Sequence, residues 1–439
     1  MKKIVNISTS LIIFFLLVSC GSREFLGFEE KKIKLKGKRV AILQLATEKI
    51  VNEEVLTKII LSKKKNISSW DQSYNSPSHL AINFEAITTL SKPKRILSGS
   101  GETADSRIFM QPVVNNNNLF FLDARANVIS FNLKKNKVIW KKSISLKSDN
   151  NHNLGGGVAI YNNQVIINSP YGEVIALDKT SGSIVWRKNI GTPFRAAPTI
   201  FDNKIFSLAL SNKLIVLNAD DGSLYWEHQG IFNNTTLISS PKLAINDNIV
   251  IVPYSNGDFF GINIANGKEL WRNSFIDIEI KETSNFFTDI DGFPVIKKNT
   301  VIMTNATGKI TAVNMKTGSR IWEKSIPSIT TPAVNGNSIF IINNNLELIC
   351  LDINNGGIRW KNKMIKNSKD KLKEIWQAPV IINSKLVLVG GDKKLIIVDP
   401  FTGEIEGVKN ISGFPASSPF IYQKKVYLML RNGDIIHIE

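Results

Sequence analysis

Residues 176–186, with the sequence ALDKTSGSIVW, decide the fold of this chain. An apolar pair leads to Asp178, a short turn ends in Gly182, and Trp186 follows four residues later. Asp or Asn followed by Gly is typical of a tight hairpin turn, because both residue types tolerate the backbone angles that such turns require. The stretch therefore predicts two antiparallel strands, with a tryptophan in the second.

The same pattern recurs along most of the chain. A last copy, which begins at Ile397, reaches Val408 without a tryptophan. Successive spacings between the tryptophans of the other copies are 46, 40, 45, 51 and 38 residues. This period matches a four-stranded propeller blade. The tryptophans are Trp140, Trp186, Trp226, Trp271, Trp322 and Trp360.

Proline before an apolar strand is a second marker in phase with the first. Proline is tolerated at the first residue of a strand, because no hydrogen bond of the sheet is lost there. One unit, at Gly157, lacks the proline, so the markers count eight strand openings. The prolines are Pro112, Pro198, Pro241, Pro294, Pro332, Pro379 and Pro419.

The two chain ends complete the repeat. The C-terminal strands have no outer tryptophan strand after them, and Trp70 stands in an isolated apolar stretch near the N-terminus. We expect Trp70 to supply the missing outer strand. The prediction is an all-β, eight-bladed propeller of four-stranded antiparallel blades over residues 66–439, with N- and C-terminal strands sharing one blade. Such closure leaves no exposed sheet edge.

The first residues carry a secretion signal. Lys2 and Lys3 precede an apolar run over residues 11–18, which is too short to span a bilayer. The run ends in LVSC, with Cys20 followed by Gly21, and this resembles the lipobox of bacterial lipoproteins. The resemblance implies a signal peptide over residues 1–19, cleavage before Cys20 and palmitate-type acylation of that residue. Residues 20–65 are expected to form a lipidated tether and N-terminal extension.

Charge and composition exclude several functions. Lys+Arg 55 against Asp+Glu 37 gives a net charge of +18, yet Lys is spread along the whole chain. No Arg-rich stripe with interleaved aromatic residues is present, so nucleic-acid binding is not predicted. Two cysteines exclude a disulfide scaffold, and the four histidines lack metal-ligand spacing. We expect no metal site.

The D-x-x-x-G-x-x-x-W unit resembles the pyrroloquinoline quinone (PQQ) propeller repeat, which quinoprotein dehydrogenases share with the BamB family of outer-membrane β-barrel assembly lipoproteins. The repeat together with the lipobox and the absence of an appended domain resembles the BamB family. That resemblance implies a non-catalytic scaffold, anchored in the outer membrane and facing the periplasm. The implied partners are the periplasmic POTRA domains of BamA and other assembly subunits, with nascent outer-membrane proteins as further candidates.

Two loops resemble the docking surface that this family uses for BamA. Phe194 and Arg195 precede a strand-opening proline, and Asp289 and Asp291 precede another. An apolar anchor, a guanidinium and two carboxylates are typical of an interface hot spot. The alternatives are an ordinary surface charge for Arg195 and turn capping for the two aspartates.

Two other functions stay open. A PQQ-binding enzyme or sensor would share the repeat. A resemblance to quinoprotein dehydrogenases also implies an adjacent cysteine pair and a calcium site, and this sequence lacks both. Accordingly we expect no cofactor and no catalytic residues. An envelope scaffold for another partner is the second alternative.

Overall fold

The computed structural model describes residues 57–87, 93–108, 110–145, 155–231, 242–275, 292–305, 308–364, 375–391 and 393–438, all within the compact unit Asn52–Glu439. The predicted signal peptide and Cys20 lie outside the described residues. A short 3-10 turn covers Ser73–Asn75.

The remaining elements are strands. In chain order they are β1 (Asn83–Phe84), β2 (Pro93–Ser98), β3 (Val113–Asn115), β4 (Asn118–Leu122), β5 (Asn127–Asn132), β6 (Lys137–Ser143), β7 (Gly157–Tyr161), β8 (Gln164–Asn168), β9 (Glu173–Asp178), β10 (Ile184–Asn189), β11 (Thr199–Phe201), β12 (Lys204–Ala209), β13 (Lys213–Asn218), β14 (Leu224–Gln229), β15 (Ala244–Asn246), β16 (Ile249–Pro253), β17 (Asp258–Asn263), β18 (Glu269–Ser274), β19 (Val295–Lys297), β20 (Thr300–Thr304), β21 (Ile310–Asn314), β22 (Arg320–Lys324), β23 (Ala333–Asn335), β24 (Ser338–Ile342), β25 (Glu347–Asp352), β26 (Ile358–Lys363), β27 (Val380–Ile382), β28 (Lys385–Gly390), β29 (Lys394–Val398), β30 (Ile405–Asn410), β31 (Phe420–Tyr422), β32 (Lys425–Met429) and β33 (Asp434–Ile438).

The strands form eight antiparallel blades, which confirms the predicted propeller. Blades 1 to 7 each take four consecutive strands, from β3–β6 in blade 1 to β27–β30 in blade 7. Blade 8 has the order β2-β33-β32-β31, so a strand from the N-terminal part completes three strands from the C-terminus. The ring is therefore closed by both chain ends, as the repeat count predicts. In each blade the first strand is the inner strand and the fourth is the outer strand; in blade 8 these are β31 and β2.

The repeated Asp or Asn organises the turn before each outer strand. Asp178 accepts hydrogen bonds at Oδ1 from the backbone N–H groups of Thr180 and Ser181, at 3.0 and 2.8 Å. The N–H of Gly182 donates to the carbonyl of Asp178 at 2.9 Å, and Gly182 has φ +72°. Only glycine adopts this conformation without a steric penalty, which explains why the motif ends in Gly.

Each blade tryptophan packs face-on against the turn glycine of the next blade. A β-carbon on that glycine would lie 2.5–2.7 Å from the indole ring, so no other residue fits. In five blades the indole N–H also donates to a backbone carbonyl of the next blade at 2.8–3.1 Å. The pairs are Trp140 with Gly182, Trp186 with Gly222, Trp226 with Gly267, Trp271 with Gly318, Trp322 with Gly356 and Trp360 with Gly403.

Two sequence-based placements at the ends of the repeat are wrong. Trp70 is not in an outer strand: it is buried, pairs with Val114 of an inner strand, and its ring centroid lies 5.3 Å from that of Phe84. The outer strand of blade 8 is β2, where Lys94 holds the tryptophan position, because it pairs with His437, the fourth residue of the third strand, as Trp271 pairs with Gly261. In blade 7 the tryptophan position falls on Gly407, not Val408, because Gly407 pairs with Ile397.

Residues 67–87, the axial segment, make one circuit inside the ring. Trp70 exchanges backbone hydrogen bonds with Val114 of blade 1, and the carbonyl of Asp71 accepts from Ile160 of blade 2. Contacts continue in order through every blade to the N–H of Ile87, which donates to Lys424 of blade 8 at 2.8 Å. In blades 3 to 7, the residues that bond to the axial segment are Ile200, Ile245, Ile296, Val334 and, across the parallel pair β1–β27, Ile381. The axial segment thus pairs with the inner sheet edges, which would otherwise present open hydrogen-bonding groups.

The contact between a blade tryptophan and the turn glycine of the next blade predicts unequal effects for two glycine substitutions. Gly318→Ala should lower the free energy of unfolding by about 2–4 kcal/mol, since alanine is strained at φ +70° and its methyl group would overlap Trp271. Gly407→Ala is the matched control, because the nearest atom to a β-carbon there is 3.5 Å away. It should change stability by less than about 1 kcal/mol. Denaturant unfolding measures both stabilities. Equal losses of unfolding free energy would contradict the role assigned to the contact between Trp271 and Gly318.

Candidate functional site

The connections between blades define one face of the disc. With this strand order, each link from an outer strand to the next inner strand emerges on the same side as the turn between the second and third strands. We call this side the connection face. The links over residues 190–198, 325–332 and 411–419 are described, whereas residues 146–154, 232–241, 276–291 and 365–374 lie outside the described residues.

Phe194 lies in the link between blades 2 and 3, but its side chain faces inward. Its exposed fraction is 0%, and it belongs to a core cluster with Ile166 and Ile205. Phe194 forms a bridge to Ala209, and the N–H of Leu210 donates to the carbonyl of Pro193 at 2.9 Å. Its side chain therefore fills the seam between two blades and offers no exposed ring, and a direct role of Phe194 in partner binding stays a prediction.

Arg195 follows Phe194 and is half-buried on this face. Its backbone is closely packed, since a β-carbon on Gly155 would lie 2.6 Å from the Arg195 Cα. The next carbonyl, of Ala196, accepts from the amide of Asn168 at 3.1 Å, and that amide oxygen accepts from Ser207 at 2.7 Å. A fixed backbone therefore holds Arg195 at the junction of blades 2 and 3.

The predicted acidic pair, Asp289 and Asp291, lies outside the described residues, and its proximity to Arg195 stays a prediction. Gly292, directly after them, is buried against the hydroxyl of Thr304, which accounts for glycine at this position. Phe293 is half-buried and faces the axis.

A cavity of about 590 Å³ opens at the axis. Its floor includes Ser73 and Tyr74 of the axial segment, and its walls come from residues just before the inner strands. We call it the axial cavity. Tyr74 is tied down by a backbone N–H bond to the Gln111 side chain at 2.8 Å and by hydroxyl contacts with Thr331 and Ser418.

Burial controls the titration of groups around this cavity. Lys242 is only 5% exposed, and burial lowers the pKa of its ammonium to about 7. Burial, assisted by the charge of Lys242, lowers the pKa of His79 to about 3, although its Nδ1 contacts the Pro294 carbonyl at 2.9 Å. His79 is therefore neutral at physiological pH. Burial also raises the pKa of Tyr74.

Trp376 is a wall residue that the repeat pattern leaves unexplained. It is buried, lines the axial cavity and packs against Gly390 and Gly391. Both glycines have positive φ, and a β-carbon on either would lie 2.6–2.7 Å from Trp376. The adjacent glycines are the sequence signal that a large residue approaches the backbone there.

Other predicted chemical groups have structural roles. Cys350 is a free thiol buried in β25 between apolar neighbours, and burial raises its pKa to about 12. Over the described ranges, no cluster of three His, Cys, Asp or Glu side chains is arranged to hold a metal ion. No helix within those same residues has the length and apolar character to cross a bilayer.

Sequence comparisons give two kinds of relative. An uncharacterized protein of Rickettsia prowazekii is 30% identical over 272 residues, which are 61% of this chain and 65% of that protein. The alignment thus spans slightly less than two thirds of the relative. Outer membrane protein assembly factor BamB of Yersinia pestis is 24% identical over 344 residues, 77% of this chain and 86% of that protein.

Solved structures support the fold alone. BamB from Moraxella catarrhalis matches with a TM-score of 0.63 and 16% identity, over 78% of this chain and 98% of that chain. A europium-containing methanol dehydrogenase matches with a TM-score of 0.67 and 12% identity, over 82% of this chain and 89% of that chain. The propeller geometry therefore does not separate a scaffold from an enzyme.

The family assignment comes from the repeat sequence itself. Residues 137–362 match the family PQQ_2, described as outer membrane protein assembly factor BamB. This segment runs from the outer strand of blade 1 to that of blade 6 and includes the described seams between them. Because the match covers more than half of its 439 residues, the chain belongs to the BamB family of outer membrane protein assembly factors.

Proposed function

We propose that this chain is a non-catalytic scaffold lipoprotein of the outer-membrane β-barrel assembly complex. Membership of the BamB family is the observation that carries this proposal. In it, the acylated Cys20 holds the propeller on the periplasmic side of the outer membrane. The connection face then docks on the periplasmic POTRA domains of BamA.

Exposed apolar side chains support the choice of the connection face. Four of them stand at links between blades and are 40–57% exposed: Ile231, Ile329, Ile375 and Phe414. Apolar groups gathered on one face favour a protein interface. Each comes from a different link, so a flat partner surface could contact several blades together.

Arg195 adds charge to this surface. A guanidinium on a fixed backbone loses little conformational freedom on binding, and it donates two parallel hydrogen bonds to a carboxylate. We therefore keep Arg195 as a partner-binding residue, whereas Phe194 becomes a positioning residue that fixes the link. Asp289 and Asp291 stay proposed members of the same surface.

The quinoprotein alternative has no support from residues in the sequence. Cys20 and Cys350 are far apart, so the adjacent cysteine pair that the resemblance implies for such enzymes is missing. Likeness to a methanol dehydrogenase at 12% identity concerns the fold. We therefore do not propose a redox activity.

Reversal of the Arg195 charge should weaken partner binding. Arg195→Glu is expected to reduce the affinity for purified BamA periplasmic domains about 30-fold, or about 2 kcal/mol, because it removes a central cation. Lys188→Glu, on the exposed outer strand of the same blade, makes the same charge change and should leave affinity unaltered. Surface plasmon resonance measures both. Equal binding by Arg195→Glu, with its fold intact, would sink the assignment of this face.

Phe194 should act on stability instead. Phe194→Ala removes a fully buried ring from the seam of blades 2 and 3, so we expect a loss of about 3–5 kcal/mol in the free energy of unfolding. Phe194→Leu, which keeps most of the volume, should lose much less. Denaturant unfolding distinguishes them, and a stable Phe194→Ala variant that fails to bind BamA would restore the direct anchor role.

Cys20→Ala tests the membrane anchor. Because acylation at Cys20 would lie outside the propeller, this variant should be found in the soluble periplasmic fraction with an unchanged melting temperature. Three acyl chains bind a bilayer far more strongly than one. Fractionation followed by immunoblotting checks the outcome, and retention of Cys20→Ala in salt-washed membranes would argue against a lipid anchor.

A further inference from the structure

Lys242 occupies an unusual place for a lysine. It lies at the entry to blade 4 and lines the axial cavity, and only 5% of its surface is exposed. Its Nζ lies 6.0 Å from the ring centroid of Phe293. Among the described residues, no carboxylate is within ion-pair distance of Lys242. Burial disfavours the charged form of an amine that has no carboxylate nearby among these residues, and an incoming anion would favour that form, so the site is suited to an anion.

The rest of the lining has the same sign of charge. Arg431 faces the cavity from blade 8 and makes no ion pair within the described ranges. Arg107 contacts the backbone carbonyls of Thr103 and Ser106 and lies 4.0 Å from Glu102. The lining therefore combines two guanidinium groups, one carboxylate and the amine of Lys242, which a bound anion would hold in its charged form, and this set selects for a negatively charged ligand.

Aromatic and aliphatic side chains define what else the ligand must contain. Phe293 and Trp376 provide flat apolar walls, with Ile329 and Ile375 beside them and Tyr74 beneath. Neighbouring hydroxyl and amide groups supply a few polar contacts. A cavity of about 590 Å³ with this lining has the size and character of a small-molecule site.

We propose that the axial cavity binds a small organic anion, with its apolar aromatic body against Trp376 and Phe293 and its carboxylate paired with Lys242. This proposal goes beyond the scaffold role and requires no redox chemistry. It also accounts for Trp376, whose burial depends on the two glycines behind it. A ligand here would contact several blades at once.

Calorimetry with naphthalene-2,6-dicarboxylate tests the site on the purified chain. We expect saturable binding at one site, at least tenfold weaker in Lys242→Met, which keeps the length of the side chain but removes its charge. Lys141→Met, on an exposed outer strand, is the control and should bind as the wild type does. The uncharged naphthalene-2,6-dimethanol should bind at least tenfold more weakly than the dicarboxylate. Absence of saturable dicarboxylate binding, or equal binding by Lys242→Met, would overturn the proposal.

Proton uptake provides a readout that a structural role would not change. At pH 8.5 a lysine with a pKa of about 7 is mostly neutral, and a paired carboxylate favours its charged form. Binding should therefore take up close to one proton, measured as the dependence of the binding enthalpy on buffer ionisation enthalpy.

Lys242 is the group that we expect to take up this proton, since the surrounding groups do not change their charge at this pH. The lowered pKa of His79 and the raised pKa of Tyr74 keep both neutral at pH 8.5, while Arg107 and Arg431 are permanent cations. Uptake should vanish in Lys242→Met, whose fold is checked by its melting temperature. Uptake that persists in a folded Lys242→Met would assign the proton to another group and overturn the pairing.

Discussion

Contact between a flat indole ring and a glycine without a side chain holds neighbouring blades together. The tryptophan belongs to the outer strand of one blade and the glycine to the turn of the next, so neither blade completes the contact alone. A left-handed turn is needed to bring the glycine Cα against the ring, and the Asp or Asn four residues earlier stabilises that turn. Blade spacing and turn sequence therefore follow from one steric requirement at the six seams from blade 1 to blade 7.

This requirement explains why the fold could be predicted from the sequence. Because the contact needs particular residue types at a fixed separation, the pattern is visible wherever a blade occurs, and the prolines before inner strands give the same count. The two ends of the repeat are harder to predict from the sequence. Blade 8 has Lys94 where six other blades have tryptophan, and the orphan Trp70 resembles a blade tryptophan although no motif turn precedes it.

The axial segment could not be predicted for a different reason. Its contacts are made largely by backbone N–H and C=O groups, which every residue type except proline provides in full, so no residue pattern marks them. The candidate site shows the same limit. An apolar residue beside an arginine is compatible with either an exposed anchor or a buried wedge, and only the bridge from Phe194 to Ala209 decides between them. Lys242 likewise has an ordinary sequence context, and its burial arises from the whole ring.

The circuit of the axial segment also has a mechanical consequence. A chain that enters a propeller through one blade transmits tension to that blade, which can peel away strand by strand. Here the chain contacts blade 6 through Thr57 and Ile60, and then bonds to all eight blades in turn. Tension applied before residue 57 loads the contacts with blade 6 first, and the axial segment comes free only after its bonds to the other blades have broken in turn. A pull from the N-terminal side is therefore opposed by every blade in succession.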